Sequence, residues 1–282
     1  MTSRAILPAL ACLGAVLGQT PTFRSSVEAV RVDVLVTRNG RPVVNLTPAD
    51  FEVLDNGVRQ RLDYAAFEEM PLNLVLAIDA SSSVAGDRAL RLRQACHSVL
   101  GELRTHDQAG LVVFSDPLVV RSGLSADLAS VRAAVDRPLP AGDTSLVDAA
   151  QASILLAESE PGRALVIVFS DGIDVSSYLP ADAVLETAKR SDAVVYGVAP
   201  RGGARPRFLR QLADTSGGDV FEITSSLDIE PAFRRVLEEF RHRYLLSYTP
   251  TGVDRAGWHR LDVRVKTGAA SVRARPGYFR QE

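Results

Sequence analysis

The sequence predicts an α/β fold: a doubly wound, mostly parallel sheet flanked by helices and inserted in a small β-sandwich-like domain. Within residues 71–242, near-continuous apolar runs alternate with helical stretches, which is typical of strands that helices cover on both faces. Short β-type segments precede and follow this region, at 25–70 and 243–282. Neither segment is large enough to bury a core alone, so we expect the two to pair with each other.

Residues 1–18 have the pattern of a signal peptide. Arg4 supplies the positive start, and an apolar stretch follows over residues 6–17, too short to span a membrane. The pattern predicts an exported protein that is periplasmic, bound to the cell envelope or secreted. A lipid anchor at Cys12 is the alternative to a soluble form, because the residues before Cys12 partly match a bacterial lipobox.

The first β-segment contains short strands separated by tight turns. Residues 30–36 alternate apolar and polar side chains, which indicates a half-buried strand. Asn39-Gly40 and Asn56-Gly57 are both hairpin signals. After the second of these turns, we expect residues 59–67 to form one strand.

The central segment has the alternating pattern of a doubly wound α/β domain. Two helix starts carry a carboxylate, Asp127 and Asp228, which the positive end of a helix dipole favours. The predicted strands cover residues 72–79, 109–115, 164–170, 193–198 and 219–223. The predicted helices cover residues 86–104, 126–135, 145–157, 180–191, 206–215 and 228–241.

The last segment returns to β-structure. Leu261, Val263 and Val265 share one face of an alternating run, as in a strand with one buried side. Strands are predicted over residues 243–248, 258–266 and 271–275, and the third of these is expected to be the last in the chain.

The composition is that of an ordinary folded protein and excludes several classes of function. The chain has 282 residues, of which 46% are hydrophobic and 23% charged, with a formal net charge of -2. No strongly basic face is implied, so nucleic acid is not expected as a partner. Cys96 is expected to be a small buried hydrophobic residue. The four histidines show no paired metal spacing and are expected on the surface or on helix faces.

Oxygen-bearing side chains lie where two of the predicted strands end. Asp79 closes one strand and is followed by Ser81 and Ser83, Asp171 closes another, and Thr144 precedes a helix. In open parallel sheets, ligands bind beyond the carboxyl ends of the strands, where the winding reverses. If the two strands are neighbours, two carboxylates and three hydroxyls meet there. This all-oxygen set suits a hard dication such as Mg²⁺, with Ca²⁺ and Mn²⁺ as alternatives.

The charge of this ligand set predicts a metal that docks a further anion. Two carboxylates only neutralise a dication, whereas hydroxyls coordinate it without adding negative charge. The metal therefore stays electrophilic, and an acidic side chain of another protein could replace a bound water. Three or four carboxylates would instead repel that anion.

These residues resemble the von Willebrand factor type A (VWA) domain family, whose fold is Rossmann-like. The matching motifs are Asp79-Ala80-Ser81-Ser82-Ser83, Thr144 before Ser145-Leu146, and Asp171-Gly172. In that family these motifs form the metal-ion-dependent adhesion site (MIDAS). The resemblance therefore implies a protein–protein interaction domain in which Asp79, Ser81, Ser83, Thr144 and Asp171 hold the metal.

The flanking segments resemble a secreted bacterial subfamily of VWA-related proteins. The matching residues are 48–57, Tyr248-Thr249-Pro250 and Arg275-Pro276-Gly277-Tyr278. This second resemblance implies a shared architecture and adds little about function.

Two other functions remain open from the sequence: a metal-assisted hydrolase on the same sheet, and a structural module whose metal only stabilises loops. The sequence has no G-x-S-x-G elbow and no glycine-rich phosphate loop. It also offers no general base beside the predicted metal other than the metal's own ligands. We therefore expect a binding protein without catalytic residues.

Overall fold

The computed structural model describes residues 29–67, 70–81, 86–138, 142–170, 174–201, 207–254, 256–266 and 268–280. The predicted signal peptide, and with it the lipid-anchor alternative at Cys12, lies outside the described residues. Within the part of the chain that is described, no helix is long and apolar enough to cross a membrane.

The N-terminal segment forms five short strands joined by the predicted turns. Asn39 and Gly40 have φ angles of 52° and 73°, and Asn56 and Gly57 have 48° and 83°, the backbone that two-residue hairpins require. The single strand predicted over 59–67 is wrong: it breaks at Arg61 into two strands that join different sheets. The strands are β1 (Val30–Arg38), β2 (Arg41–Pro42), β3 (Phe51–Asp55), β4 (Val58–Gln60) and β5 (Leu62–Ala66).

The central segment forms one six-stranded sheet and six helices. The strands are β6 (Leu72–Asp79), β7 (Gln108–Phe114), β8 (Val119–Ser125), β9 (Arg163–Phe169), β10 (Val194–Pro200) and β11 (Val220–Ile223). The helices are α1 (Asp87–Gly101), α2 (Leu128–Val135), α3 (Leu146–Ala157), α4 (Ala181–Arg190), α5 (Arg207–Ser216) and α6 (Ile229–Arg241). Strand β8 was not predicted, because it is an edge strand with no buried residue and no continuous apolar run.

Helices cover both faces of this sheet. Leu74, Leu76 and Ile78 of β6 pack with α1, α2 and α6. Val75 and Ala77 of the same strand pack with α3, α4 and α5 on the opposite face, as the two-residue period of a strand requires. The predicted α/β fold class is therefore confirmed.

The winding of the sheet reverses between β6 and β9. The strand order is β11-β10-β9-β6-β7-β8, and all neighbouring pairs are parallel except β7 and β8. From β6 the chain builds outward through β7 and β8, and then returns to place β9 on the other side of β6. The carboxyl ends of β6 and β9 thus border the crevice in which such sheets bind ligands.

The C-terminal segment completes two antiparallel sheets that the N-terminal segment begins. β1 pairs with β12 and β3 pairs with β13, so strands from both ends of the chain share each sheet. The two sheets, β14-β1-β12-β5 and β15-β13-β3-β4, enclose one apolar core. Strand β15 was not predicted, because Pro276 before it and Gly277 at its start are typical of a turn. The strands are β12 (Tyr244–Tyr248), β13 (Gly257–Val265), β14 (Ser271–Arg273) and β15 (Gly277–Arg280).

A buried polar cluster lies inside this sandwich. The Asp55 carboxylate accepts hydrogen bonds from the hydroxyls of Tyr248 (2.9 Å) and Tyr278 (2.8 Å) and lies 2.8 Å from Nδ1 of His259. His259 is fully buried, so the expectation of a surface or helix-face histidine is wrong there. Burial beside the Asp55 carboxylate raises the pKa of both tyrosines.

Two buried arginines join the α/β part to the sandwich. Arg243, between α6 and β12, is fully buried and donates to the Tyr196 hydroxyl (2.9 Å) and to the carbonyls of Gly217 and Asp33. Arg163, the first residue of β9, forms an ion pair with the Asp33 carboxylate of β1. These contacts lie at the amino end of the parallel strands, away from the crevice.

Candidate metal centre

Asp79 is held through both of its carboxylate oxygens. It ends β6 and is fully buried. The Ser81 amide donates to Oδ1 (2.8 Å), and the hydroxyl of Ser170, directly after the neighbouring β9, donates to Oδ2 (2.9 Å). Two separate strands therefore fix the orientation of this carboxylate at the point where the winding reverses.

Ser81 lies in the turn after Asp79 and is 8% exposed. The amide of Ala80 donates to the carbonyl of Phe114, the last residue of β7, at 2.9 Å. The pairing of β6 with β7 thus continues one residue beyond β6 and positions the start of the turn. Ser83, the second predicted serine ligand, lies outside the described residues.

Thr144 is placed at the same crevice by contacts between its loop and the end of β7. The Ser145 hydroxyl donates to the Ser115 carbonyl (2.7 Å). Gly142 approaches Asp116 so closely that a β-carbon there would lie 2.8 Å from the Asp116 carbonyl oxygen, so only glycine fits. Thr144 is 5% exposed, and its hydroxyl has no hydrogen-bond partner among the described residues.

The loop after β9 holds the Thr144 loop from the other side. The amides of Val175 and Ser176 both donate to the Thr144 carbonyl, at 3.0 and 3.2 Å. Asp171, the second predicted carboxylate ligand, precedes this segment and lies outside the described residues. The loop in which Asp171 is expected is thus tied to Thr144 by its backbone.

The same loop also caps α3, the helix that follows Thr144. Asp174 accepts from the Val147 amide (3.2 Å), and the Ser177 hydroxyl accepts from the amides of Val147 and Asp148 (3.1 Å each). Ser145 occupies the N-cap position of α3, but its hydroxyl donates to the Ser115 carbonyl and does not cap the helix. The cap therefore comes from a distant segment, and the first turn of α3 depends on it.

Of the five predicted ligands, the structure places Asp79, Ser81 and Thr144 at the carboxyl ends of β6, β7 and β9. Sequence reasoning missed Ser170 and Ser177, which hold the site without being predicted ligands. The position of Ser170 directly before the predicted ligand Asp171 was the one available signal.

The donor atoms fit a hard dication. Asp79, Ser81 and Thr144 offer only oxygen, the element that Mg²⁺ and Ca²⁺ prefer. Among the described residues, no three His, Cys, Asp or Glu side chains come together, so a metal in that part of the chain would depend on hydroxyl oxygens. The Thr144 hydroxyl is such a group, because it forms no hydrogen bond with the described residues and stays available to a metal.

An exposed apolar surface adjoins this crevice. Val175, Tyr178 and Leu179 are 67%, 92% and 41% exposed. The Asp148 carboxylate fixes the backbone of Tyr178 and Leu179 by accepting hydrogen bonds from their amides, both at 2.9 Å. The Val175 amide is bonded to the Thr144 carbonyl. These three residues, the apolar shelf, are thus presented to solvent on a fixed backbone.

Comparisons with known proteins agree with this geometry. The model of the von Willebrand factor type A domain matches residues 73–235, more than half of the chain. The matched region contains Asp79, Ser81 and Thr144. No curated protein sequence matches the chain.

Several solved structures share the fold at low sequence identity. A von Willebrand factor type A protein from Catenulispora acidiphila has a TM-score of 0.57 at 16% identity, covering 88% of this chain and 76% of that one. Proximal thread matrix protein 1 from the mussel byssus, solved with a zinc-occupied MIDAS motif, has a TM-score of 0.56 at 15% identity. That match covers 66% of this chain and 49% of the mussel protein, so the present chain spans about half of its length.

These likenesses show the fold, and the family model shows the family. The match extends from the first apolar strand of the sheet into α6. It therefore includes every strand of the central sheet and the loops that form the crevice. The chain belongs to the von Willebrand factor type A domain family.

Proposed function

We propose that this protein is an exported binding module whose VWA domain holds a divalent cation and docks an acidic group of a protein partner. One observation carries the proposal. Hydrogen bonds at the ends of β6 and β9 orient the buried Asp79 carboxylate. The loop that carries Thr144 is bonded to the segment after β7 and to the loop after β9, and the Thr144 hydroxyl has no partner among the described residues.

The proposed ligands are Asp79, Ser81, Ser83, Thr144 and Asp171, with Mg²⁺ as the expected ion and Ca²⁺ or Mn²⁺ as alternatives. When bound, the cation supplies a positive charge that attracts and orients a carboxylate. The chain keeps that charge available, because only two of the five proposed ligands are anionic. The zinc-occupied MIDAS motif of the mussel protein supports a dication at this place in the fold.

The apolar shelf supports a protein as the docked partner. A metal–carboxylate contact alone accepts many acidic molecules, so selectivity has to come from neighbouring contacts. Tyrosine is enriched at the energetic centres of protein interfaces, and Tyr178 is 92% exposed on a backbone that Asp148 fixes. We expect Tyr178→Ala to weaken partner binding while leaving metal affinity unchanged.

We propose binding without catalysis. A metal-assisted hydrolase needs a general base near the reacting atoms. His259 is buried in the sandwich beside Asp55, and His97 pairs with Asp136 on the side of α1 and α2. His242 directly follows α6, at the end of the sheet that lies opposite the crevice. None of these three side chains lies where it could serve the proposed metal.

Export is proposed from residues 1–18 and their pattern of a positive start and an apolar stretch. A signal peptide places the protein in the periplasm, in the cell envelope or outside the cell. Lipid attachment at Cys12 is the alternative to a soluble form. Mass spectrometry of the protein purified from its host distinguishes the two, since only a lipidated chain carries the added acyl mass.

Metal titration of Asp79→Asn tests the site. The variant keeps the shape of the side chain and removes its charge, so we expect Mg²⁺ affinity to fall about 100-fold or more with little change in Tm. Asp143→Asn is the matched control, because Asp143 is an exposed acid in the Thr144 loop. Equal Mg²⁺ affinity in both variants, measured by calorimetry, would exclude the proposed site.

A further inference from the structure

A second concave site lies at the amino end of the sheet, where α4 meets the sandwich. A cleft of about 310 Å³ opens between the end of α4, the strand β15 and the start of β1. α4 ends where the chain turns towards the amino end of β10, so the cleft and the candidate metal centre lie at opposite ends of the central sheet. Its side walls are Arg31, Arg190, Asp192, Arg275, Tyr278, Phe279 and Arg280.

The charge in this cleft is strongly unbalanced. Four arginines face one carboxylate, Asp192, in a chain whose formal net charge is -2. Asp192 is already paired with Arg275 at 2.9 Å. Arg31, Arg190 and Arg280 form no ion pair within the described part of the chain. Three cationic groups therefore converge without an anion to balance them.

Two of the arginines are held in place before any ligand binds. Arg275 is only 10% exposed and donates to the carbonyls of Ser191 (3.0 Å) and Arg31 (2.9 Å). The Arg190 guanidinium lies 3.7 Å from the centre of the Phe279 ring. Fixed guanidinium groups lose less freedom when they bind a ligand, which increases affinity.

The chemistry of the cleft selects a compact ligand with several negative charges. Guanidinium groups pair with phosphate oxygens through parallel hydrogen bonds. A single carboxylate would neutralise the positive charge of only one of the three unpaired arginines. A phosphoryl group presents two negative charges and three oxygen atoms at one point. The volume is at the lower end of the range for small-molecule sites, which favours a small ligand or a headgroup over a folded partner.

A neighbouring cleft limits where the anion can lie. It shares Arg31, Asp192 and Arg275 but adds Glu158 and Glu160, which would repel an anion. The basic part is therefore confined to the side bounded by α4 and β15.

We infer that this cleft, the arginine cleft, binds a phosphoryl-bearing ligand through Arg31, Arg190 and Arg280, with Arg275 as a fixed wall. This site is independent of the proposed metal centre. It also gives a role to the Arg275-Pro276-Gly277-Tyr278 motif, whose first and last residues line the cleft.

Calorimetric titration with inorganic pyrophosphate in metal-free buffer tests the inference. We expect saturable binding of one pyrophosphate, weakened about tenfold or more in Arg31→Ala/Arg280→Ala because two charge-assisted contacts are lost. Neither side chain forms an ion pair among the described residues, so folding should be unaffected, and equal Tm values check this. Arg190→Met, which keeps an apolar contact to Phe279, serves as a second variant.

Arg41→Ala is the matched control. Arg41 is an exposed arginine of the same sandwich. It lies in β2, opposite Arg38 in the strand register, at the end of β1 that is far from the cleft. Its loss should leave pyrophosphate affinity unchanged. The inference is overturned if wild-type protein shows no saturable binding, or if the cleft variants bind as tightly as Arg41→Ala.

Co-sedimentation with vesicles of phosphatidylglycerol and phosphatidylcholine then identifies the source of the phosphoryl group. Vesicle binding that is lost in Arg31→Ala/Arg280→Ala assigns the cleft to a lipid headgroup. Pyrophosphate binding without vesicle binding assigns it to a soluble phosphorylated ligand. Both results support a phosphoryl site and separate its two sources.

Discussion

The two ends of the central sheet are built from different kinds of contact. At the carboxyl end, short side chains on loops are held by hydrogen bonds to backbone groups, and the Thr144 hydroxyl is left without a partner among the described residues. At the amino end, Arg163 and Arg243 are buried and bonded to Asp33 and to backbone carbonyls. At the amino end, the buried junction between the two parts of the chain pairs its charges internally, whereas three arginines of the neighbouring arginine cleft form no ion pair within the described residues. The crevice at the carboxyl end, which is proposed to bind a metal, keeps oxygen atoms available.

The largest effect is expected at the amino end, from Arg243→Met. Methionine fills much of the space but leaves the carbonyls of Asp33 and Gly217 without their donor, and each buried unsatisfied group costs about 1–3 kcal/mol. We expect a loss of about 3 kcal/mol in the free energy of unfolding, seen as a Tm lower by roughly 6–12 °C. Mg²⁺ affinity of the folded variant should stay the same.

Arg264→Met is the control for that variant, because Arg264 is an exposed arginine paired with Asp262. It should unfold like the wild type. If the two variants had the same Tm, or if Arg243→Met lost its metal affinity while folded, the division between the two ends would be contradicted.

A smaller effect is expected from the tyrosines in the sandwich. Burial raises the pKa of Tyr248 and Tyr278, so their neutral forms are favoured in the folded state. The resulting stability is present below the ordinary tyrosine pKa of about 10 and is lost as pH rises above it. Urea unfolding between pH ~8 and ~11 should show a steep decline in stability.

Tyr248→Phe should reduce that decline, because one of the two buried hydroxyls is gone. Tyr178→Phe is the control, since Tyr178 is almost fully exposed and lies outside this cluster. A wild-type stability that does not change across this pH range would contradict the description of the cluster.

The smallest effect is expected from Asp174→Ala, which tests how much the loop after β9 contributes to the proposed metal site. The variant removes a cap from α3, at a cost of about 1 kcal/mol, and loosens the loop that holds Thr144. Mg²⁺ affinity should fall by roughly threefold to tenfold, because groups that orient ligands affect affinity less than the ligands themselves. Asp182→Ala, an exposed acid in the first turn of α4, should leave Mg²⁺ affinity unchanged.

The parts of the fold that the sequence predicted are those with the strongest apolar patterns. Strand β6 was predicted with its observed bounds, because all eight of its residues are buried and no polar residue other than Asn73 interrupts the run before Asp79. Strand β8 was missed because it has no buried residue and no continuous apolar run, and β15 was missed because Pro276 and Gly277 are typical of a turn. His259 was misplaced because its partners come from β3 and β15, which lie elsewhere in the sequence.

The candidate site shows the same division. Asp79 and Thr144 were predicted because strand ends and helix starts can be located along the chain. The roles of Ser170, Asp174 and Ser177 depend on which loops meet in space. Only the position of Ser170 directly before Asp171 indicated a role along the sequence. Ser83 and Asp171, predicted from the same strand ends and from the family motif, remain predictions.

Calorimetric titration of Mg²⁺ into wild-type protein and into Thr144→Val tests the central claim most directly. Valine matches threonine in shape and removes only the hydroxyl, which has no hydrogen-bond partner among the described residues. For Thr144→Val we expect an unchanged Tm together with an affinity for Mg²⁺ that is at least about tenfold lower than that of the wild type. Equal Mg²⁺ affinities in the two proteins would contradict it.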